Sequence, residues 1–294
     1  MMWPGTSSTG WPACWKGGRA DMASVSERFS LEKFARHPFY QEVNRRLVKL
    51  TGLRPGQRVV DLGAGTGAVT RLILEELGSA RGSEVIAVEP SDSALEAARR
   101  NLAHVSGAVV RFVQGGAERL SQLVKRPVDA VLFCNAIHLV REKSKVLQEV
   151  RRVLREGGTF SFNTSFYAGA EPPESHQFYR RWLIKALRLL KTHYGLTPTD
   201  ERTPARERLT AEQYIALLEE NGFRVQHREI MQVEMDLASF EDISEYQLWI
   251  EGILPGIPLE TGSIVLKESV RETFRELGLS FSPRNWLLVV ASRA

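Results

Sequence analysis

A glycine-rich segment follows a short apolar run near residue 60 and precedes a helical pattern. The run carries an acidic residue, Asp61, and Gly63, Gly65 and Gly67 come directly after it. Glycines at such a turn let the backbone approach a bound ligand where a side chain would collide. Ordinary tight turns between a strand and a helix can show the same pattern, so it needs support from the rest of the chain.

Three further segments give that support, because each predicted strand ends in residues that suit a nucleotide. Glu89 ends the second apolar run, and its carboxylate can accept both hydroxyls of a ribose that lies across the strand ends. Gly116 and Ala117 follow the third run, and Asn135 follows the fourth. Ligands of open parallel sheets bind outside the carboxyl ends of the strands, so these loops together predict one nucleotide site.

Two classes of ligand fit the glycine pattern. Gly63, Gly65 and Ala68 also satisfy the fingerprint for a dinucleotide, which serves a pyrophosphate. Asp61 would repel a pyrophosphate, whereas it suits a ligand that has an ammonium group and no phosphate. S-adenosylmethionine carries an ammonium, a sulfonium and a ribose, and the charges favour it. An NAD(P)-dependent oxidoreductase and a non-catalytic module that binds S-adenosylmethionine remain the alternatives.

With these residues the sequence resembles the class I, Rossmann-like S-adenosylmethionine-dependent methyltransferases, especially the small-molecule group that includes the ubiquinone/menaquinone type. The resemblance covers about residues 35–165 and implies methyl transfer from S-adenosylmethionine. It also implies a set of residues that contact this cofactor: Asp61, Gly63, Ala64, Gly65, Glu89, Pro90, Gly116, Ala117 and Asn135.

Within this set, the resemblance implies a methionine site at the glycine-rich segment with Asp61, a ribose site at Glu89 and an adenine site beside Pro90. Asn135 would pack beneath the cofactor. One position departs from the family pattern, since many relatives have an acidic residue where Gly116 stands. Here the adenine contact would have to come from the backbone or from Glu118.

Methyl transfer requires few catalytic side chains, because the sulfonium supplies the reactivity and the protein positions the two reactants. A general base is needed only when the acceptor is still protonated at the point of attack. His138, after the fourth strand, is the candidate base, with a structural histidine as the alternative. Tyr40 is expected to close over the cofactor or to pack in the core. Phe166 and Tyr167 are expected to wall an acceptor pocket, with aromatic core packing as the alternative for Phe166.

Strand and helix patterns alternate from residue 58 onward, and the strands are nearly continuous in apolar residues. Such a rhythm predicts a doubly wound α/β fold, with a mostly parallel seven-stranded sheet. Capping boxes are predicted at Ser93 and at Thr210. The pair Gly157-Gly158 is expected to end a helix, and the fifth strand is expected to begin at Thr159.

The sequence predicts a disordered tail over residues 1–24, a helical cover over 25–50 and a methyltransferase domain over 51–294. Met22 is a hypothetical true start, because organised sequence begins just after it. Helical insertions are predicted at about 171–207 and 238–280. Both are rich in large apolar residues, among them Phe178, Trp182, Trp249, Ile250, Ile253, Leu254 and Ile257.

These apolar residues predict a cover that forms a pocket for a small or medium, partly apolar organic acceptor, methylated at oxygen, carbon or nitrogen. Burial against the domain or a homodimer interface would explain them equally well. His176 and His193 lie in the first insertion and are expected at the surface.

Composition narrows the classes of partner. The formal charge is +4, from 39 basic and 35 acidic residues, and no basic block is present, which argues against nucleic acid. The loop from Asn135 to His138 also lacks the Pro-Pro-aromatic sequence typical of amino-group methylation in nucleic acids. The sequence has no apolar run long enough to span a membrane. Its two cysteines form neither a metal-binding nor a disulfide pattern, so a cytoplasmic protein without a metal is predicted.

Overall fold

The computed structural model describes residues 28–79, 81–105, 108–199 and 208–294. The predicted tail over residues 1–24 and the hypothetical start at Met22 lie outside the described residues. The first three residues of the predicted helical cover and residues 200–207 of the first insertion lie outside them as well.

A seven-stranded sheet forms the centre of the described structure, in the order β3-β2-β1-β4-β5-β7-β6. The first five strands run parallel, and β7 runs antiparallel to both of its neighbours. This confirms the predicted α/β class with a mostly parallel seven-stranded sheet. The strands are β1 Arg58–Leu62, β2 Glu84–Glu89, β3 Val109–Gln114, β4 Val128–Cys134, β5 Leu154–Thr164, β6 Phe223–Asp236 and β7 Phe281–Arg293.

Helices precede the sheet, connect its strands and fill the two insertions. Pro38 occupies the first position of the second helix, where the missing backbone N–H costs nothing, and so divides the N-terminal segment in two. The α-helices are α1 Glu32–Ala35, α2 Pro38–Thr51, α3 Ala68–Leu77, α4 Asp92–Leu102, α5 Leu120–Leu123, α6 Lys143–Val153, α7 His176–Leu189, α8 Ala211–Glu220, α9 Leu237–Ile243, α10 Gln247–Ile253 and α11 Leu259–Leu277.

Both faces of the sheet are buried at β1, β2 and β4, which explains why these strands are nearly continuous in apolar residues. The edge strands β3 and β6 are partly exposed. Val59 of β1 and Leu132 of β4 belong to a core shared with α2, α3 and the helices of the insertions. Their neighbours Val60 and Phe133 point to the opposite face and belong to a second core. Side chains alternate along a strand, so two covering layers of helix are needed to remove such strands from water.

Local signals for helix ends were partly wrong. Thr210 caps α8 through a complete capping box with Gln213, as predicted. The cap of α4 is Ser91 instead of Ser93, and its hydroxyl accepts a hydrogen bond from the backbone of Ala94. The pair Gly157-Gly158 does not end α6, because the chain enters β5 already at Leu154 and the pairing register with β4 shifts ahead of Thr159.

The two insertions share one aromatic core. Trp182 of α7 donates its indole N–H to the carbonyl of Leu266 in α11, at 2.9 Å. Phe178 of α7 packs against Phe240 of α9, with ring centroids 4.8 Å apart. Helices from distant parts of the sequence therefore form a single unit, which we call the cap: residues 176–194 and 237–277. None of the helices within the described ranges has the length and apolar character needed to cross a membrane.

Candidate active site

The strand order places a crevice at the carboxyl ends of β1 and β4. The chain crosses from one half of the sheet to the other between these two strands, and such switch points are where doubly wound sheets bind ligands. The loops after the two strands touch there, since a Cβ atom on Gly63 would lie 3.3 Å from the Cβ of Ala136. Gly63 also has φ +71°, a conformation that glycine adopts without strain.

Glu89 fastens the end of β2 to this glycine loop, residues 63–67. Its carboxylate accepts hydrogen bonds from the backbone N–H of Gly65 at 2.9 Å and of Ser91 at 3.0 Å. Gly63 and Ala64 in turn donate their N–H groups to the carbonyl of Val88. Burial raises the pKa of Glu89, while the two backbone hydrogen bonds oppose that rise. Each carboxylate oxygen has further lone pairs, so Glu89 can still accept ribose hydroxyls.

Asp61 lies beneath the glycine loop and is 1% exposed. Its carboxylate accepts a 2.6 Å hydrogen bond from the hydroxyl of Thr70, in the first turns of α3. Burial raises the pKa of Asp61 to about 7, with a smaller contribution from the nearby charge of Glu89. A cation above the loop would favour the ionised form of this carboxylate, whereas a phosphate would oppose it.

The predicted adenine contacts lie at the ends of β2 and β3. Pro90 is exposed, and Gly116 and Ala117 are buried. The carboxylate of Glu118 folds back over Gly116, because a Cβ atom added there would lie 2.4 Å from its oxygens. Glu118 therefore brings an acidic group to the place where many relatives carry one at position 116. We call Asp61, the glycine loop, Glu89 and this segment the cofactor cradle.

A buried amide network joins the end of β4 to its surroundings. Asn135 has φ +52°, and its side chain donates to Asn44 of α2 at 3.1 Å. The indole N–H of Trp286 in β7 donates to the side-chain oxygen of Asn135 at 2.9 Å. Asn163 at the end of β5 donates to the same Asn44 oxygen. The loop after β4 is thus held in a strained conformation by α2, β5 and β7.

A small cavity lies next to this network, between the strand ends and the cap. The volume of this cavity is about 20 Å³, which is enough for roughly one water molecule. We call it the strand-end cavity. Its lining comes from the N-terminal segment, the strand ends and the cap: Leu31, Phe34, Tyr40, Asn135, His138, Ser165, Phe166, Met235, Ile243, Tyr246, Trp249, Arg284 and Trp286.

Two tyrosines that line this cavity interact with acidic residues of the cradle, so the two sites are neighbours. Tyr40 of α2 interacts electrostatically with Asp61, and Tyr246 at the start of α10 interacts with Glu89. Burial raises the pKa of both phenols, so they stay protonated at physiological pH. The cavity as it stands is too small for an organic molecule of ordinary size.

His138, the predicted base, lines the cavity and is buried. Its Nδ1 lies 3.1 Å from the hydroxyl of Thr164, and its ring stacks on Phe166 with centroids 4.2 Å apart. The Thr164 hydroxyl also accepts from the backbone N–H of Phe166, and a bond from its own proton to Nδ1 would leave the ring proton on Nε2. Burial, with positive charge from Lys143 and Arg284, lowers the pKa of His138 to about 3. The ring is therefore neutral at physiological pH.

Arg284 is a cavity residue that the sequence pattern did not single out. It is 1% exposed and lies on β7, two residues before Trp286. Its guanidinium donates to the carbonyl of Ser165 at 2.7 Å and to the hydroxyl of Tyr179 at 2.9 Å. Residues 284, 286 and 288 lie on one face of the strand, and Trp286 and Leu288 are apolar. This alternation is the sequence signal that predicts a buried charge at Arg284.

Other predicted pocket residues divide between the cavity and the core. Phe166 lines the cavity, whereas Tyr167 packs in the core on the other face of the sheet. Of the seven large apolar residues singled out in the insertions, Trp249 alone lines the cavity. The others pack in or against the cap core, as the burial alternative predicted. His176 and His193 are exposed.

A larger cavity, about 180 Å³, lies away from the strand ends between the N-terminal segment and the cap. Its charged residues are paired with one another, since Arg28 binds Glu260 while Lys33 and Lys267 both bind Glu245. These side chains satisfy each other and none follows a sheet strand, so we place the active site at the smaller strand-end cavity.

Comparison with known proteins fits this placement. Residues 60–160 match the family model described as a methyltransferase domain. This segment is similar to methyltransferase domains. It contains Asp61, the glycine loop, Glu89, Gly116, Asn135 and His138, so the matched methyltransferase domain carries the whole cradle.

Curated proteins similar to this chain include C-methyltransferases. Over 113 residues the chain is 35% identical to the ubiquinone/menaquinone biosynthesis C-methyltransferase UbiE of Ectopseudomonas mendocina, covering 38% of this chain and 43% of that protein. It is 30% identical over 132 residues to UbiE of Legionella pneumophila, covering 44% of this chain and 52% of that protein. The chain thus spans about half the length of the curated relatives it matches.

A solved structure extends the likeness in fold beyond the methyltransferase domain. The cyclopropane synthase MmaA2 of Mycobacterium tuberculosis superposes with a TM-score of 0.54 at 15% identity. The match covers 93% of this chain and 94% of that one. The shared feature is the fold, since the identity is low.

Proposed function

We propose that this protein transfers a methyl group from S-adenosylmethionine to a small or medium, partly apolar organic acceptor. The observation that carries the proposal is the clamp of Glu89 on the backbone of Gly65 at the switch point of the sheet. This clamp places a carboxylate, which can bind a ribose, next to a glycine backbone, which can approach the methionine part of the cofactor. The matched methyltransferase domain and the relatives named for C-methylation support this function.

The residues of the cradle fit the charges of this cofactor. Asp61 is buried and Glu89 is half-buried beside the glycine loop, and both acids suit a ligand that carries an ammonium and a sulfonium. Gly63 lets the loops after β1 and β4 pack closely, because a Cβ there would meet Ala136 and Phe133, and the Cβ position of Gly65 faces open space. When bound, S-adenosylmethionine supplies the activated methyl group, and the protein holds the acceptor in line with it.

We assign the remaining predicted site residues by their positions. Glu89 holds the ribose, Pro90, Gly116 and Ala117 flank the adenine, and Asp61, Gly63, Ala64 and Gly65 surround the methionine part. Asn135 supports the cofactor from the end of β4.

On the acceptor side, Tyr40 and His138 face the reacting group from the strand-end cavity. His138 is neutral, as a base must be, but its pKa of about 3 makes it a weak one. We therefore propose that it first orients the acceptor through its Nε2 proton.

Calorimetric titration with S-adenosylmethionine and with NADH tests the proposed function. We expect S-adenosylmethionine to bind at micromolar concentration and NADH not to bind. Glu89→Ala should weaken binding roughly 10- to 100-fold, because a hydrogen bond to a charged group contributes about 1.5–3 kcal/mol. Glu96→Ala, on the exposed side of α4, is the matched control and should leave the affinity unchanged.

Binding of NADH alone would replace this proposal with an oxidoreductase. Binding of S-adenosylmethionine that Glu89→Ala leaves intact would move the cofactor site away from the cradle. The cytoplasmic location, the lack of a nucleic-acid partner and the homodimer stay predictions.

A further inference from the structure

Arg284 is the formally charged side chain among the residues that line the strand-end cavity. It occupies a position of β7 whose neighbours on the same face, Trp286 and Leu288, are buried apolar residues. A guanidinium stays ionised in a protein, and a buried charge is costly unless it is paired. The groups that surround Arg284 therefore indicate the role of this charge.

Those partners do not neutralise it. The two hydrogen bonds of Arg284 go to neutral oxygens, the carbonyl of Ser165 and the hydroxyl of Tyr179. Within the described part of the chain, the one carboxylate oxygen inside 4 Å belongs to Glu171, at 3.8 Å. That same oxygen accepts a 2.7 Å hydrogen bond from Arg208.

Aromatic rings surround the guanidinium instead. Its central carbon lies 5.6 Å from the ring centroid of Phe166, 5.5 Å from that of Tyr179 and 5.3 Å from that of Trp249. The indole Nε1 of Trp249 is buried and has no hydrogen-bond acceptor among the described residues. Phe166 and Trp249 both line the cavity, so its wall combines an apolar surface with a cation and an unpaired N–H donor.

We propose that Arg284 binds a carboxylate of the methyl acceptor, with Trp249 as a second donor, so that the substrate class is an organic acid with an apolar body. This inference rests on the proposed function and names its substrate class. A planar guanidinium matches a carboxylate with two parallel hydrogen bonds. The rings of Phe166 and Trp249 suit the apolar remainder.

Charge also orients such an acceptor. Asp61 and Glu89 give the cradle carboxylates, while Arg284 gives the cavity a cation. An acid would be drawn to Arg284 and repelled by the cradle, so its other end would face the methyl group. A purely structural Arg284, which only ties β7 to Ser165 and Tyr179, would give no preference between an acid and a neutral analogue.

The test uses the full chain saturated with S-adenosylhomocysteine, which cannot transfer a methyl group. Benzoate and cinnamate are titrated against benzamide and cinnamamide, which have the same shape without the charge, and the fluorescence of the nearby tryptophans reports binding. We expect each acid to bind at least about tenfold more tightly than its amide, a difference of about 1.4 kcal/mol. Arg284→Gln should abolish that difference, and Arg284→Lys should keep part of it.

Glu171→Gln should change the affinity for the acids in the opposite direction from Arg284→Gln. It removes the carboxylate nearest to Arg284, so the acids should bind several-fold more tightly while the amides do not change. Glu171 is partly exposed, so this variant and the wild-type comparison remain decisive if Arg284→Gln does not fold.

Equal affinities for acid and amide, an unchanged preference in Arg284→Gln, or no acid bound at about 10 mM would each overturn the inference. S-adenosylhomocysteine should bind the wild type and Arg284→Gln alike, because Arg284 lies outside the cradle. A wild-type protein that does not bind it contradicts the proposed function itself. Binding without an acid preference contradicts only the inference about Arg284.

Discussion

The cofactor cradle and the strand-end cavity lie side by side but are built in different ways. The cradle uses backbone atoms and short side chains from loops that follow consecutive strands, such as Gly65 and Glu89. The cavity uses large side chains that are far apart in the sequence, such as His138, Trp249 and Arg284. A generic ligand can be held by a local motif, whereas a particular acceptor needs a surface assembled by the whole fold.

The two regions also differ in charge and in openness. The cradle holds acidic groups under a loop whose glycines leave space, while the cavity holds a cation among packed rings. The cavity has room for about one water, whereas the Cβ position of Gly65 in the cradle faces open space. Changes in the cradle should therefore affect every ligand, and changes in the cavity should affect the acceptor alone.

The largest expected effect comes from filling the cradle. Gly63→Val should weaken S-adenosylmethionine binding by roughly 100-fold or more, a loss of about 2.7 kcal/mol, because the new side chain collides with Ala136 and Phe133 and displaces the glycine loop. The positive φ should also destabilise the fold by roughly 1–3 kcal/mol. Calorimetry and chemical denaturation measure the two effects separately.

Gly56→Val is the matched control for this change. Gly56 has φ +86° in the turn before β1, at the opposite end of the strand, and open space around its Cβ position. It should show a similar loss of stability with no loss of affinity. A similar loss of affinity in both variants would mean that backbone strain, and not the cradle, explains the result.

Asp61→Asn should change cofactor affinity and folding stability in opposite directions. The folded-state pKa of Asp61 is raised to about 7, so the folded protein holds a proton that the unfolded chain has lost, and stability falls as the pH rises from about 4 to 7. At pH 7.5 the variant should be more stable by roughly 1–4 kcal/mol, since one pKa unit corresponds to about 1.4 kcal/mol.

The same substitution should weaken binding of S-adenosylmethionine. In the wild type the affinity should rise between pH 5.5 and pH 7, because the cationic ligand favours the ionised carboxylate. Calorimetry across this range should give a flatter profile for Asp61→Asn. Equal pH profiles would show that Asp61 supports the loop through Thr70 without acting on the ligand.

The smallest effect concerns His138 in the cavity. The pKa of about 3 predicts that its ring does not gain a proton between pH 5 and pH 8. Nitrogen NMR of the imidazole should show a neutral ring with the proton on Nε2 across this range, with His138→Gln to assign the signal. Protonation near pH 6.5 would contradict the buried position and restore His138 as a candidate base of ordinary strength.

The cradle could be predicted from the sequence because each of its parts is local. The loop after β1 needs glycine where φ is positive, and Glu89 ends a strand that the apolar pattern marks out. The fold class followed from the same alternation. Helix ends were less certain, since Ser91 and Ser93 are both good capping residues and only the exit of the chain from β2 selects Ser91.

The acceptor side could not be predicted to the same depth. The aromatic richness of the insertions suggested a pocket wall, but packing between α7, α9 and α11 uses most of those rings, and Trp249 alone lines the cavity. Arg284 belongs to the cavity only because β7 is inserted antiparallel between β5 and β6, beside Ser165.

The sequence by itself determined the α/β alternation, the glycine loop and the acidic residues that accompany it, because backbone conformation and local charge act over a few residues. The tertiary structure decided which side chains meet in the cavity, that Asp61 and His138 are buried, and that Arg284 faces aromatic rings. The reason is physical: burial and the pairing of charges depend on neighbours that the chain brings together only when it folds.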